Sequence, residues 1–262
     1  MSQVAAPLRP AAATWLLVTR NYLVYKDAWK LFLTGFLEPV FYLLSIGVGV
    51  GKLIHAFEFN GHTIPYAEFV APGMLAASAF NGALIDSTYN VFFKLKYDKL
   101  YDSILSTPVT PVDIAAGEIG WALLRGGFYS GTFFVVMLVM GLVSSWWAVL
   151  VLPAAILIGF AFAAIGMACT TFMKSWQDFE YITLATLPMF LFSATFFPLS
   201  VYPPSLQWLV QLSPLYHAAA LVRELTTGAV GASSVVHVVV LAVLGVVGVW
   251  VTGRRLEKLL LK

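Results

Sequence analysis

Apolar residues run along this chain in blocks of roughly 20, the length an α-helix needs to cross about 30 Å of hydrocarbon, and short polar segments separate the blocks. The blocks run from Phe32 to Ile54, Tyr66 to Phe93, Pro111 to Val143, Ala148 to Met173, Tyr181 to Phe197 and Ser233 to Thr252. They predict an all-α, polytopic membrane protein with six transmembrane helices. Residues 1–262 form a single membrane domain, without an internal repeat or a linker. Ahead of the first block, Trp15, Val18, Tyr22, Tyr25 and Trp29 recur at steps of three and four, while Arg20, Lys26, Asp27 and Lys30 fall mostly elsewhere. That spacing predicts an amphipathic helix over 14–30 lying in the membrane interface, since no soluble domain is available to bury it. The segment Pro198 to Leu225 is apolar but is cut by four prolines. A straight crossing does not suit it. It predicts an extracytoplasmic re-entrant hairpin over 198–225, between the fifth and sixth spans, whose freed backbone groups need protein or a wet cavity.

Composition sharpens this picture. Of 262 residues, 60% are hydrophobic and 11% charged, against roughly a quarter charged in a soluble domain. A net charge of +2 spread through many loops gives no basis for a nucleic-acid partner. The basic residues report topology instead. Arg9, Arg20, Lys26, Lys30, Lys94, Lys96, Lys99, Lys174, Arg254, Arg255, Lys258 and Lys262 share one face of the six-span arrangement, and only Lys52 and Arg223 fall opposite. Both termini are therefore expected in the cytoplasm, with the chain multi-pass in the membrane. Cys169 is the only cysteine, which excludes a disulfide within the chain. The first residues lack a cleavable signal pattern, so the first span is expected to direct insertion itself.

One polar stretch stands out, KYDKLYDSILSTPVTPVDIAAGEI from Lys96 to Ile119. Lys96 to Leu105 has helical composition, with Tyr97 and Tyr101, and Leu100 and Ile104, at spacings of four. Pro108 then pushes Thr107 toward an extended conformation. Thr110 can cap a new helix, with Pro111 at its first position and Asp113 three residues after the cap. A short cytoplasmic helix joined by a stiff corner to a long membrane helix can act as a lever for a soluble partner. It can equally be a solvated loop, because capping fixes geometry and not function.

Here the chain resembles the membrane subunits of type-2 ATP-binding-cassette exporters, particularly the branch with nodulation lipo-oligosaccharide and drug exporters. The resemblance covers nearly the whole chain and rests on EPVFYLLSIGVGVG, YAEFVAPGMLA, KLYDSILSTPVTPVDIAAGEI and SATFFPLSVYPPSLQWLVQLSPLYHAAALVREL. It implies that Lys99, Leu100, Tyr101, Asp102, Ser103 and Ile104 lie in a coupling helix that docks on an ATPase subunit. It also implies two such ATPase partners binding ATP and Mg, a second permease chain, identical or related, and an amphiphilic cargo such as a lipid-linked saccharide, lipid or hydrophobic drug. The family often places an arginine and a glycine before its coupling leucines, where this chain has Tyr97, Asp98 and Lys99.

The chain carries no site for nucleotide chemistry of its own. GVGVGK at Gly47 to Lys52 imitates a P-loop, but Ile46 replaces the required first glycine and Leu53 the hydroxyl after the lysine. Its glycines suit close helix contact instead. His55, His62, His217 and His237 have no metal-ligand spacing, and no nucleophile elbow accompanies them, so neither a metal site nor an enzyme activity is expected. The costly charges are Glu38, Asp86, Glu118, Arg125 and Glu180. Glu118 and Arg125 share a helix face seven residues apart, and Arg125 is expected to pair with Asp86 or a neighbouring carboxylate. Such a pair either rearranges during transport or statically fixes helix register. Phe190, Phe192, Phe196 and Phe197, followed by Pro198 and the Pro203–Pro204 pair, form either an outer gate or ordinary apolar packing. A rival reading is an ion-coupled secondary transporter using an intramembrane carboxylate such as Asp86. Such carriers often pair broken helices in two halves, and here only one end is broken.

Overall fold

A computed structural model describes residues 10–28, 37–53, 57–59 and 62–260. The ends of the expected interfacial helix and of the first expected span, residues 29–30, 32–36 and 54, lie outside the described residues, as does His55. Helix α1 is Pro10–Tyr25, and α2 runs over Leu37–Gly51 with a π-helical stretch at Leu43–Val48. A small antiparallel hairpin, β1 Phe57–Phe59 and β2 His62–Ile64, pairs Glu58 with Thr63 and precedes the long helices. These are α3 Tyr66–Lys96, the short α4 Leu100–Ile104, α5 Pro111–Val139 and α6 Val151–Thr170. Then come α7 Phe179–Leu191, the hairpin pair α8 Pro204–Leu212 and α9 Pro214–Thr227, and the last helix α10 Ala232–Leu260.

Four stretches among the described residues are long and apolar enough to cross a membrane: α3, α5, α6 with its leading turn from Trp146, and α10. They form the centre of the fold, with α3 the most enclosed. Its buried face is built from Phe69, Met74, Leu75, Ala76, Ala79 and Phe80. Small residues let backbones approach where lipid supplies no hydrophobic drive between helices. The closest approach is at Gly248 of α10, where a Cβ would stand 2.7 Å from the Ala164 carbonyl carbon and 2.8 Å from Ile165 N on α6.

Several elements differ from the sequence expectation. The expected fifth span, 181–197, is a helix of only 13 residues, about 20 Å long at 1.5 Å per residue. It stops because Phe192 leaves helical geometry and Ala194 takes a left-handed conformation (φ 53°), held there by bonds to Arg223 described below. The expected helix at 96–105 splits. Lys96 closes α3, and Lys99 is left-handed (φ 47°), so only Leu100–Ile104 is helical in the corner. The tail after Thr252 continues α10 instead of leaving it. In α1, Val18 is buried and Tyr25 stacks on Trp121, while Trp15 and Tyr22 face outward; the aromatic stripe is divided between protein and surroundings.

Replacing Gly248 by Leu forces α10 off α6 and is expected to destabilise the fold by about 1–3 kcal/mol. Thermal unfolding of the purified protein checks this, and Val247→Leu, on the exposed side of the same helix, should leave the midpoint unchanged.

Candidate functional site

Two buried ion pairs lie where α3 and α5 cross. The crossing is tight, with the position of a Gly82 Cβ only 3.3 Å from Gly126 Cα. Asp86 opens a π-helical segment, Asp86–Asn90. Ser87 Oγ donates to Ala83 O (2.8 Å) and Thr88 Oγ1 to Leu84 O (2.6 Å). Asp86 Oδ1 lies 2.7 Å from Arg125 Nη1 and also accepts from Asn90 Nδ2, and Arg125 Nε donates to Tyr129 Oη at 2.7 Å.

Further along α3 toward the corner, Lys94 Nζ is 2.7 Å from Glu118 Oε2. Asn21 of α1 donates through Nδ2 to the same oxygen at 3.0 Å and accepts from Lys94 Nζ at 3.0 Å. The second pair therefore fastens three helices. Asp86 and Arg125 meet as the sequence suggested, but Glu118 has its own cation, and Glu38 and Glu180 are exposed and belong to neither pair. Lys94 and Asn21 escaped the sequence reading because one counted as a loop charge and the other carries no charge. The signal was an amide on the inward side of α1.

The corner is built from local chemistry. Thr110 Oγ1 accepts from Asp113 N (3.2 Å) and Thr110 N donates to Asp113 Oδ2 (3.0 Å), a reciprocal cap with Pro111 at the first helical position. On α4, Tyr101 is 1% exposed and packs in the main core, while Lys99, Asp102 and Ser103 face outward and Leu100 and Ile104 are half-buried. Burial, with the Glu118 carboxylate nearby, pushes the Tyr101 hydroxyl well above the usual tyrosine range. The corner helix thus has an anchored side and a free polar side. A second turn at the same end, 174–178, is tied by Asp178 Oδ2, which accepts from Lys174 N (2.6 Å) and Ser175 N (3.1 Å). Those donors lower the Asp178 carboxyl below its ordinary range.

At the opposite end, Arg223 of α9 is the residue the sequence reading missed as a site. It is 4% exposed, donates to the carbonyls of Phe69 (3.1 Å) and Ala194 (2.9 Å), and stacks over the Phe69 ring at 3.8 Å. One cation therefore holds the hairpin, the start of α3 and the irregular segment after α7. An Arg–Glu dipeptide inside an apolar stretch was the available signal. Phe190 and Phe196 pack edge to face at 5.5 Å, and both, with Phe197, line a cavity of about 630 Å³ between α2, α3 and α7 that also meets Glu38 and Asn81. Pro198, Pro203 and Pro204 lie outside that wall, starting a 3-10 turn and helix α8. A second apolar cavity of about 610 Å³ lies between α3, α6 and α7 and reaches Lys174 and Asp178. Among the described residues, no group of three or more His, Cys, Asp and Glu is arranged to hold a metal.

A bundle of apolar helices with buried charge pairs, a polar corner at one end and a broken hairpin at the other is the architecture of a membrane-embedded protein. The chain belongs to the ABC-2 type transporter family, whose sequence profile matches residues 12–227. It is 31% identical to Nodulation protein J of Rhizobium leguminosarum bv. viciae over 98% of this chain and 99% of that protein. It is 32% identical to Nodulation protein J of Sinorhizobium fredii over 98% of each chain. The Inner membrane transport permease YadH of Escherichia coli is 25% identical over 72% of this chain and 73% of its own length.

Removing one partner of a buried pair leaves an uncompensated charge. Arg125→Gln alone is expected to cost about 3–5 kcal/mol, and the double variant Asp86→Asn/Arg125→Gln should regain most of that loss. Thermal unfolding of the two purified variants measures the difference.

Proposed function

We propose that this chain is the transmembrane subunit of an ATP-driven exporter, working as a pair of permease chains with two separate ATPase subunits. The observation that carries the proposal is the corner helix. Its outward face, Lys99, Asp102 and Ser103, offers contacts to a soluble partner, while Tyr101 and the Thr110 cap join it rigidly to α3 and α5. ATP with Mg, bound on the partner, supplies the force; closure of the ATPases pushes on 99–104 and tilts the two helices. The Lys94–Glu118 and Asp86–Arg125 pairs then carry that movement into the bilayer or hold the helices in register against it.

In this reading α2, α3, α5, α6, α7 and α10 are the six membrane passes, with both termini and the corner in the cytoplasm of a bacterial cell and the hairpin outside. The basic residues clustered at the corner end support that orientation. The name of the E. coli relative, an inner membrane transport permease, supports the inner-membrane location. Helix α7, with Tyr181 and Leu184 each 71% exposed, supplies an apolar face for a second permease chain. The cavity walled by Phe190, Phe196 and Phe197, with Glu38 at its edge, suits an amphiphile having an apolar part, such as a lipid-linked saccharide, a lipid or a hydrophobic drug. The relatives named for nodulation support the saccharide-bearing class.

Affinity purification of the tagged chain from membranes should bring an ATP-binding-cassette ATPase with it, and transport in vesicles should stop when ATP is removed. Transport sustained by a proton gradient alone would replace this reading with the ion-coupled carrier. Charge reversal at the corner, Lys99→Glu with Asp102→Lys, should weaken ATPase association by about tenfold or more, a loss of 1.4 kcal/mol, and leave the unfolding temperature unchanged. For the charge pairs, Arg125→Gln with assembly and ATPase activity intact but transport lost would mark them as moving parts.

A further inference from the structure

The histidines at 217 and 237 read from sequence as scattered, packed residues, yet the fold brings two of them into direct contact. His217 of α9 and His237 of α10, twenty positions apart, place Nδ1 against Nδ1 at 2.7 Å. The other ring nitrogen of His237, Nε2, is 3.6 Å from Glu224 Oε1. Glu224 is itself held by Ser233 Oγ (2.7 Å) and Ser234 Oγ (2.5 Å), which begin α10. His237 is 6% exposed. This chain of contacts crosses between the hairpin helix and the last membrane helix.

A contact of 2.7 Å between two imidazole nitrogens requires one N–H donor and one bare lone pair. The carboxylate of Glu224 suits an N–H on His237 Nε2. The contact survives while either ring keeps a bare Nδ1; once both rings carry protons on both nitrogens, no acceptor is left and two imidazolium cations stand face to face. No other bond need change. We propose that His217, His237 and Glu224 form a proton-binding latch joining the hairpin to the last membrane helix, closed while one of the two rings keeps a bare Nδ1 and released when both are fully protonated.

The surroundings do not offer the second charge an alternative partner. Tyr216 packs edge-on against both rings, and Arg223 is committed to the Phe69 and Ala194 carbonyls. Glu68, on α3, is bonded by Ser144 Oγ. Helix α8 and the turn at Trp146–Leu150 carry no ionisable side chain, and that of α6, Cys169, sits at its far end. A cavity of about 360 Å³, lined by apolar residues together with Ser200, Glu224, Ser233 and His237, reaches the His237–Glu224 side of the latch. Burial, together with the neighbouring His237 ring, holds His217 below its ordinary range, so release falls on the acid side of about 6.5. The side of the membrane from which the proton comes rests on the orientation proposed above; the latch itself does not.

The test is hydrogen exchange, read by mass spectrometry on the full chain in lipid nanodiscs at about pH 7.5 and about pH 5, spanning the histidine range. Rates over 213–240 are normalised to those over 111–139 to remove the intrinsic pH dependence of exchange. Acid should cost 213–240 about tenfold in relative protection, the ratio carried by one unit of pKa, and His217→Gln should abolish that step. His237→Gln serves the same purpose where His217→Gln does not fold. An unchanged relative protection in the wild-type chain, or an acid step that persists in the glutamine variants, overturns the latch. In oriented proteoliposomes acidified on one face, a response from the corner side alone would keep the latch and overturn the outward placement of the hairpin.

Discussion

Charge inside hydrocarbon has to be answered within the protein, and the centre of this fold is arranged around that requirement. Asp86 and Arg125 answer each other across the α3–α5 crossing, and Lys94, Glu118 and Asn21 do the same where α1 joins them. Neither set works without the other features at the crossing. Gly82 and Gly126 bring the backbones close enough for the side chains to meet, and the π-helical turn at Asp86–Asn90 sets the rotation of the acid. The hydroxyls of Ser87 and Thr88 bond the Ala83 and Leu84 carbonyls of the preceding turn. Distortion and charge are thus parts of one solution.

The two ends of the bundle handle polar groups differently. At the corner end the solution is local: a reciprocal Thr110–Asp113 cap, a left-handed Lys99 and one inward tyrosine fix a short helix whose other side stays free. At the hairpin end the solution is long-range. Arg223 satisfies carbonyls from residues far apart in sequence, and through them holds the unwound backbone after α7 that no helix of its own could satisfy. The free side at one end suits contact with a partner, and the tied irregular backbone at the other suits a structure that closes over a path.

Between these ends, the helices divide by what covers them. α6 and α10 are joined by backbone contact at Gly248, and α3 is enclosed on most sides. α7 is apolar and largely uncovered, and the phenylalanines at its end wall a cavity instead of filling a core. An apolar cavity lies at the α2–α3–α7 boundary, beside this exposed helix.

The sequence by itself determined membrane residence, the long helices and the corner, because hydropathy and helix-capping act over neighbouring residues. Thr110, Pro111 and Asp113 do in the fold what their spacing implies, whatever surrounds them. It also named Asp86 among the carboxylates that Arg125 could meet, since a buried cation needs an anion; the fold pairs those two. Only the tertiary structure decided that Glu118 belongs to Lys94, that α7 ends at Leu191, that Arg223 anchors the hairpin, and that His217 finds His237. Each of these depends on how far one helix is rotated and shifted against another. Spacing along a single helix says which residues share a face, and it is silent on which face of a neighbour they meet.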